Sequence, residues 1–273
     1  MRILRNKSDI RSILFVFFTI LLLTIPFYIN IPLFLSFFWI LLLAIFCFSC
    51  CTINHNHMHH PIFTNNYINS IFNILLTLAK GHTATTIVVP HMMNHHKHNC
   101  SQEDWIRPDI AYKKKGRSRL VKYLYKASIN MIVERQKSGA PKLSKRQQIN
   151  ILIERCFLFI CIIIGVYLNL KVFLLFVLLP WLIAMASLVC INLLQHDGCD
   201  HQSEFNHSRN FTGRLGNWIC FNNGYHTIHH LKPSLHWSKL PKAHKEFVED
   251  NIDPLLNHSS VFGYLFRNYI FLR

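Results

Sequence analysis

Residues 31–60 read IPLFLSFFWILLLAIFCFSCCTINHNHMHH. The nearly uncharged run from Ile31 to Cys51 is long enough to cross the hydrocarbon core of a membrane, for which a helix needs about 20 apolar residues. It leads directly into a cluster of histidines that begins at His55. The pattern predicts a transmembrane helix whose end carries several imidazoles, side chains that are common metal ligands in proteins.

Three more apolar runs occur along the chain. Of its 273 residues, 51% are hydrophobic and only 15% are charged, a composition outside the range of ordinary soluble domains. The predicted transmembrane helices cover about residues 12–29, 32–51, 153–170 and 172–194. Short connections near Pro32 and Asn169 pair these helices into two hairpins. We therefore predict an all-α integral membrane protein with a single domain over residues 1–273.

The basic residues are distributed asymmetrically. Among 29 Lys and Arg, only Lys171 falls in a connection within a hairpin, and the formal net charge is +16. The positive-inside rule therefore places residues 52–152 and 195–273 in the cytoplasm, where basic loops also bind anionic membrane lipids. Because the membrane explains the charge, no nucleic-acid partner is predicted. We expect a multi-pass protein with a cytoplasmic helical cap, in a membrane such as the bacterial inner membrane.

Most of the 18 histidines fall in four clusters beside the apolar runs. Residues three or four apart share a helix face. This spacing pairs His55 with His59, His91 with His95, Asn192 with His196, and His226 with His229 and His230. His96 is turned by about 100° from the face of His95 and could reach a second ion. Because these imidazoles outnumber the ligands of one tetrahedral ion, we predict two metal ions in the cap.

The scarcity of glutamate motifs and of closely spaced cysteine ligands limits which metals the clusters could bind. Soluble di-iron bundles bridge their irons with glutamates from Glu-x-x-His motifs, but the clusters contain no such motif and the chain has only 13 acidic residues. Structural zinc usually has four ligands, often thiolates at close spacing, and the nine cysteines do not follow that pattern. An all-histidine pair of irons would keep open positions for oxygen, which is a catalytic arrangement.

The order and spacing of the clusters resemble the histidine boxes of the membrane fatty acid desaturase and hydroxylase family. The boxes are His55-x3-His59, His91-x3-His95-His96 and His226-x2-His229-His230. Family members of known fold also use a histidine at the end of the fourth transmembrane helix, and an asparagine four residues earlier reaches one iron through water. Asn192-x3-His196 matches this pair. The resemblance covers about residues 12–245 and implies the following metal-site residues: His55, His59, His91, His95, His96, Asn192, His196, His226, His229 and His230.

The resemblance also implies an activity. It implies two iron ions (Fe2+/Fe3+) as cofactors, O2 as co-substrate, and a desaturase that introduces a double bond into the acyl chain of an acyl-lipid or acyl-CoA. Because the sequence contains no dinucleotide fingerprint or fused redox domain, we expect a separate electron donor of the ferredoxin or cytochrome b5 type. A membrane di-iron hydroxylase or carotenoid-type oxygenase is the alternative. A non-catalytic membrane metal-binding protein would be expected to carry ionisable residues within its spans, which contain almost none.

Several other residues are candidates for supporting roles. In the first box, His59 is the predicted ligand, and His60, which also fits the spacing, is its reserve. His57 lies off the His55–His59 face and is expected to support the site, and His201 is a reserve ligand. The carboxylates of Asp197 and Asp200 are expected to hold imidazole N–H groups. Four further histidines are expected at the surface or as helix caps: His82, His207, His244 and His258.

Overall fold

The computed structural model describes residues 2–111 and 116–271, which are mostly helical. The helices are α1 (Asp9–Thr24), α2 (Leu33–His59), α3 (Asn66–Lys80), α4 (His96–His98), α5 (Arg117–Val133), α6 (Lys145–Phe173), α7 (Leu179–His196), α8 (Arg214–Ile219), α9 (His226–Leu231), α10 (Leu240–Phe247) and α11 (Val261–Leu265). Segments of π-helix cover Val89–His95, Leu174–Leu178 and Phe266–Ile270. Two short strands, β1 (Asn210–Phe211) and β2 (Asn257–His258), pair in parallel.

The chain divides into two compact units. The first comprises the residues up to Ile87 together with Leu143–Ser187, and the second comprises Val88–Lys142 and the residues from Leu188 onward. The first unit contains α1, α2, α3 and α6, whereas the second contains the π-helix Val89–His95, α5 and α9. The single domain over the whole chain stays a prediction.

Three helical stretches are long and apolar enough to cross a membrane within the described part of the chain. They are Asp9–Phe27, Leu33–His59 and Lys145–His196. A fourth would be the bent pair Asn66–Lys80 and Thr85–His98, whose parts differ in direction by 99°. The long helices carry large exposed apolar side chains, such as Leu33 on α2 and Tyr167 on α6. Extensive exposed apolar surface of this kind is typical of a membrane-facing protein.

Prolines delimit the first two helices. Pro26 lies in the 3-10 turn that follows α1, and Pro32 immediately precedes α2. The two helices contact each other through the Thr19 hydroxyl, which lies 3.2 Å from Sγ of Cys50. Helix α2 continues past Cys51 as far as His59, so it is longer than the span predicted from hydropathy.

Both ends of α3 have local caps. The Asn65 side chain accepts backbone N–H groups at the first turn, which satisfies donors that have no partner within the helix. At the other end, Gly81 has φ 76°, and a Cβ there would lie 2.2 Å from the Trp181 ring. Glycine is therefore required both by the backbone and by the available space. The following segment is held by Glu154 of α6, whose carboxylate accepts the N–H of Thr85 at 3.0 Å.

Helix α6 is interrupted at Asn169. This residue has φ −166° and ψ 102°, and its side chain accepts the N–H of Val172 at 3.1 Å. A Cβ at Gly165 would lie 2.7 Å from the Phe173 ring. Residues eight apart on a straight helix are separated by about 12 Å along its axis, so the chain turns back at Asn169. This is where the sequence predicts a connection between two apolar runs.

The second unit is built around its own apolar cluster. Helix α5 contributes the fully buried Tyr123, the end of α7 contributes Leu193 and Leu194, and β1 contributes Phe211. Tyr269, near the C-terminal end of the described chain, packs into the same cluster. Because the two leucines lie two and three residues before His196 on α7, this packing fixes the position of a predicted metal ligand.

Candidate metal centre

His91 and His95 of the second box lie on the π-helix Val89–His95, and His96 directly follows it. In this geometry the backbone N–H of one residue binds the carbonyl five residues earlier, and the N–H of His96 binds the carbonyl of His91. The Nε2 atoms of the same two residues lie 3.0 Å apart. The pairing of His91 with His95 predicted from α-helical spacing is therefore wrong, because the wider turn places His96 over His91.

His229 joins this pair to form what we call the first histidine group: His91, His96 and His229. The Nε2 atom of His229 lies 3.1 Å from Nε2 of His96, and the rings of His91 and His229 are nearly parallel, with their centroids 6.3 Å apart. The three ligand nitrogens lie within 4.8 Å of one another. Side chains from the π-helix and from α9 therefore converge on one position.

The second histidine group consists of His95, His196, His226 and His230. Nε2 of His226 lies 2.9 Å from Nε2 of His196 and 3.1 Å from Nε2 of His230. The ring of His95 lies 4.8 Å from that of His196 and 5.1 Å from that of His230, measured between centroids. One nitrogen of each residue lies within 4.8 Å of the others. His95 and His196 are fully buried.

The two groups lie side by side. The rings of His96 and His230, one from each group, are stacked with centroids 4.5 Å apart. Helix α9 contributes His229 to the first group and His226 and His230 to the second. The adjacent residues His95 and His96 are likewise divided between the groups. Boxes two and three therefore each supply ligands to both groups, and His96 is separated from His95 as the sequence predicts.

The spacing of the nitrogens fits metal ligation. Two imidazole nitrogens that are about 2.1 Å from an ion and at a right angle to each other lie about 3 Å apart. The four Nε2–Nε2 contacts within the groups measure 3.0, 3.1, 2.9 and 3.1 Å. Nε2 of His95 is buried and has no hydrogen-bond partner within residues 2–111 and 116–271. An all-imidazole set of this kind suits iron, copper, nickel or zinc.

Hydrogen bonds fix the tautomers of two buried imidazoles. Nδ1 of His95 donates to Oδ2 of Asp104 at 2.7 Å, and Nδ1 of His196 donates to the carbonyl of His207 at 3.3 Å. Because Nδ1 carries the proton in each ring, Nε2 is left as the ligand atom. Burial of His230 and the neighbouring imidazoles hold its pKa well below the ordinary value, which favours the neutral, metal-binding form.

Electrostatics keep Asp104 ionised although it is buried. Burial by itself raises the pKa of this carboxyl, but the adjacent His95 and the backbone N–H groups of Ile106 and Cys100 outweigh burial and lower the pKa to about 2. A carboxylate at this position can accept several hydrogen bonds at once. It is therefore suited to hold an imidazole N–H permanently.

Close backbone contacts position the third box. A Cβ at Gly224 would lie 2.2 Å from the carbonyl oxygen of Phe211, and the N–H of Gly224 donates to the Asn217 side chain at 3.1 Å. At the start of α9, the Asn210 side chain accepts the N–H of Thr227 at 3.0 Å. The backbone that carries His226, His229 and His230 is therefore held from two sides.

An arginine caps the helix that carries His196. The buried guanidinium of Arg209 donates to the carbonyl of Leu194 at 2.7 Å and to that of Asp197 at 3.1 Å. These carbonyls lie at the C-terminal end of α7, where backbone acceptors lack partners within the helix. The same guanidinium lies over the Tyr264 ring at 4.4 Å. The end of α7 is therefore fixed by both hydrogen bonds and packing.

Three histidine boxes on a chain with several apolar helices have a counterpart among known protein families. The fatty acid desaturase family model matches residues 31–258, which is more than half of the chain. The chain belongs to the fatty acid desaturase family. No curated protein matches the sequence. Desaturase family members are generally oxidoreductases, and membership indicates an oxygen-dependent activity of the desaturase or hydroxylase type in a membrane and acyl-lipid context.

The first box of this desaturase family member lies in the first unit. His55 and His59 are on the last turn of α2, with ring centroids 4.9 Å apart. Nδ1 of His55 lies 3.1 Å from Oδ1 of Asn56. His60 follows the helix with an extended backbone (φ −138°, ψ 94°), so the argument from helical spacing applies to His59 and not to His60. The ligand role of this box stays a prediction.

His57 has a different role from its neighbours. Its Nδ1 accepts the N–H of Ile62 at 3.1 Å, and its ring packs against Phe72 with centroids 5.2 Å apart. The buried imidazole therefore anchors the chain that leaves α2. These contacts place His57 in the support of the fold, and the supporting role at the metal site that the sequence predicts stays a prediction.

Asn192 lies one turn before His196 on α7. Its side-chain nitrogen donates to the carbonyl of Ile106 at 3.0 Å and to the hydroxyl of Tyr123 at 2.6 Å. The amide is thereby held in one orientation. The contact to a metal ion through water, which the family resemblance implies, stays a prediction.

The carboxylates predicted to hold imidazoles make other contacts. Asp197 binds Arg119 and the hydroxyl of Tyr269, and Oδ1 of Asp200 accepts the N–H of Gln202 at 3.1 Å. Asp197 follows His196 directly, but it faces α5 and the C-terminal segment. The expected role of these two residues is therefore corrected: proximity in sequence to a ligand did not translate into contact with its ring.

His201, the reserve ligand, lies beside the second group. One of its ring nitrogens lies within 4.8 Å of the ligand atoms of Cys100 and His196. Of the four residues in the second histidine group, His196 is the one whose ligand atom is found this close to His201. The ring of His201 is partly exposed. The position is close enough for a reserve role, which stays a prediction.

Sequence reasoning missed Asp104 and misplaced two histidines. Asp104 contacts a box histidine, and the signal for it in the sequence was an acidic residue a few positions after box two in a chain poor in acids. His207 and His244, predicted at the surface or as caps, are buried. The ring of His207 lies 5.5 Å from that of His230, and the ring of His244 packs against Tyr225. Their burial depends on contacts between distant segments.

Proposed function

We propose that the protein is an O2-dependent di-iron desaturase that introduces a double bond into the acyl chain of an acyl-lipid or acyl-CoA. The observation that carries the proposal is the pair of adjacent histidine groups, whose Nε2 atoms converge at 2.9–3.1 Å. Each group has the spacing of ligands around one ion. Membership in the fatty acid desaturase family supplies the reaction class.

The proposed ligand set combines both groups with the first box. The first ion is held by His91, His96 and His229 together with His55 and His59, and the second by His95, His196, His226 and His230 with a water molecule bound to Asn192. The order of the three boxes supports the inclusion of His55 and His59. Their positions on the last turn of one helix suit binding of a single ion by both rings.

When bound, the iron pair would supply the O2 chemistry that removes two hydrogen atoms from adjacent methylenes. The described residues prepare the site for this reaction. Asp104 and the carbonyl of His207 keep the proton of His95 and His196 on Nδ1, away from the ligand atom. Burial of these two rings shields their side of the second group from bulk solvent. All of the protein ligands proposed for direct coordination are neutral imidazoles, so they add no negative charge to the irons.

The proposal includes a membrane arrangement. Four transmembrane helices form two hairpins, and the histidine boxes lie in a cytoplasmic cap of one multi-pass domain in a membrane such as the bacterial inner membrane. Support comes from the long apolar helices, the reversal of the chain at Asn169 and the sequence distribution of Lys and Arg, of which only Lys171 falls in a connection within a predicted hairpin. Electrons are supplied by a separate ferredoxin or cytochrome b5 type donor.

A membrane di-iron hydroxylase or carotenoid-type oxygenase is the second candidate, because the same histidine groups would serve it. The two reactions differ in whether the second hydrogen is removed or a hydroxyl group is added. The products therefore distinguish them. A non-catalytic metal-binding protein would instead hold metal without any O2-dependent product.

The test is the fatty-acid profile of a bacterial host that expresses the chain together with a ferredoxin. We expect a new unsaturated species in cells with the wild-type protein and its absence in cells with His229→Ala, which removes a ligand of the first group. His98→Ala is the matched control, since this half-exposed residue follows box two without belonging to either group.

The outcomes separate the candidates. A hydroxylated product that forms in the wild type and is absent in His229→Ala would show that the protein is a hydroxylase and not a desaturase. An unchanged profile, despite folded protein in the membrane and a functional donor, would contradict an activity on the common acyl chains of the host. Equal products from the wild type and His229→Ala would contradict the proposed metal site.

A further inference from the structure

Asp104 is the centre of a hydrogen-bonded loop that follows box two. Its side chain is fully buried. Oδ2 accepts Nδ1–H of His95 at 2.7 Å and the backbone N–H of Cys100 at 2.9 Å, and Oδ1 accepts the N–H of Ile106 at 3.0 Å. One carboxylate therefore fixes an imidazole and both ends of the loop that surrounds it.

The loop is held rigidly from its other side as well. The Asn94 side chain donates to the carbonyl of Glu103 at 2.9 Å and accepts the N–H of Trp105 at 2.9 Å. Asn99 and Cys100 adopt positive φ values of 39° and 64°, a conformation that is unfavourable for residues with a Cβ. Strain of this kind persists only where the surroundings determine the backbone, and these hydrogen bonds provide that constraint.

The same loop reaches Asn192 through Ile106. The carbonyl of Ile106 accepts the Tyr123 hydroxyl at 2.6 Å and the Asn192 side-chain nitrogen at 3.0 Å. That nitrogen also donates to the Tyr123 hydroxyl at 2.6 Å. The amide oxygen of Asn192 consequently faces away from Ile106 and Tyr123. The loop thus orients two side chains, His95 and Asn192, that the proposed ligand set assigns to the same ion.

We propose that Asp104 is a positioning residue for the second histidine group, and that the loop Asn99–Ile106 sets the affinity of the protein for one of its two ions. The inference rests on the proposed di-iron function. Asp104 keeps the proton of His95 on Nδ1 and the ring in one orientation, so that the buried Nε2 remains available to the ion. Carboxylates that bind a metal-ligating histidine act in this way in many metal sites.

The prediction is selective loss of one ion. Loss of such a partner typically lowers metal affinity about 10–100-fold. Asp104→Asn keeps the size of the side chain but leaves one acceptor oxygen where the carboxylate provides two, so it cannot accept all three N–H groups. The affinity of the second group should fall by this factor. The first group, which Asp104 does not contact among its described hydrogen bonds, should keep its affinity.

The experiment is metal analysis of the purified full-length protein. The wild type, Asp104→Asn and the control Asp109→Asn are loaded with Fe2+, dialysed against a graded series of chelator concentrations and analysed for iron. Asp109 is a matched control because it is an exposed aspartate close in sequence that pairs with Arg107. Titration of the metal-free proteins with Co2+, followed by its visible absorption, provides a readout independent of enzyme activity.

We expect the wild type and Asp109→Asn to release two ions at similar chelator concentrations, and Asp104→Asn to release one of them at about 10–100-fold lower chelator. Equal retention of both ions by Asp104→Asn would overturn the inference. Weakening of both ions together, with a lower thermal stability of the metal-free protein, would also overturn it, because a merely structural role affects the whole unit. If Asp104→Asn does not fold, Asp104→Glu is used, since its extra methylene displaces the carboxylate from His95 and should weaken the same ion.

Failure of the proposed function is distinguishable from failure of this inference. A wild-type protein that binds no iron, or only one ion, would contradict the di-iron proposal whatever the variants do. A wild type with two irons and an unaffected Asp104→Asn would leave the di-iron proposal intact and overturn only the role of Asp104.

Discussion

His91 and His96 are five residues apart in the sequence, and their Nε2 atoms lie 3.0 Å apart on a π-helix. His95 belongs to the other histidine group, although an α-helix would place it on the same face as His91. The π-helix therefore decides which histidines of box two share an ion. Single-turn π segments are often found at functional sites.

The pairing of His91 with His96 predicts a pattern of double substitutions. His91→Ala and His96→Ala should weaken the same ion, so the double variant should still retain the other ion. His91→Ala combined with His95→Ala should weaken both. Iron content after dialysis against chelator measures the difference. Retention of one ion by the His91/His95 variant, and of none by the His91/His96 variant, would contradict the observed grouping.

Substitution of Gly224 tests whether its close backbone contact positions the third box. Gly224→Ala would bring a Cβ to 2.2 Å from the carbonyl oxygen of Phe211, so the backbone before α9 must move. We expect a loss of about 1–3 kcal/mol in the free energy of unfolding, the usual cost of overpacking, together with weaker binding of metal. Thermal unfolding in detergent and iron content provide the two measurements.

Gly216 provides the matched control for Gly224. Gly216 lies within α8, and apart from its own helix backbone and chain neighbours no described atom lies within 4 Å of a Cβ added there. Gly216→Ala should leave metal binding unchanged and stabilise the protein by up to about 1 kcal/mol, because alanine favours a helix. Equal effects of the two substitutions would contradict the close contact at Gly224.

The buried imidazole of His244 should make the free energy of unfolding of the metal-free protein depend on pH. Burial lowers the pKa of its imidazole, so the unfolded chain binds a proton at higher pH than the folded chain does. The stability of the metal-free protein should therefore decrease as the pH falls below about 6.5, the ordinary value for histidine. His244→Gln removes this contribution.

The measurement is the midpoint temperature of thermal unfolding, Tm, between about pH 8 and pH 5. The Tm difference between the wild type and His244→Gln should be constant above about pH 7 and should shift in favour of the variant at lower pH. A pH-independent difference for His244→Gln would contradict the predicted proton uptake on unfolding.

The proposed topology predicts the location of two reporter fusions in a bacterial host. Alkaline phosphatase joined after Lys171 should be active, because the connection near Asn169 would face away from the cytoplasm. A green fluorescent protein joined to the C-terminus should fluoresce, because that end would be cytoplasmic. The opposite pair of results would reverse the assigned side of the histidine boxes.

The sequence was sufficient to predict the features that depend on local patterns. The length of an apolar run determines whether a helix can span a membrane, and the interval between histidines determines which rings share a helix face. The long helices and the gathering of boxes two and three with His196 followed from such patterns. The break at Asn169 was also visible as a polar interruption between two apolar runs.

Other features depend on contacts that local patterns do not encode. The π-helix differs from an α-helix by one residue per turn, and His91-x3-His95-His96 is compatible with both. The loop that brings Asp104 to His95 contains positive φ values at Asn99 and Cys100; asparagine is enriched in this conformation, but cysteine does not predict it. Asp197 lies next to His196 in sequence but binds Arg119 and Tyr269 instead.

The most direct test of the central claim is Mössbauer spectroscopy of the wild-type protein loaded with 57Fe, combined with quantitative metal analysis. The account predicts about two irons per chain in nitrogen-rich sites, for which neutral imidazoles are suited. These irons should be lost in two separable steps when the first and second histidine groups are altered. A protein that binds zinc in preference to iron, or a single iron at full occupancy, would contradict it.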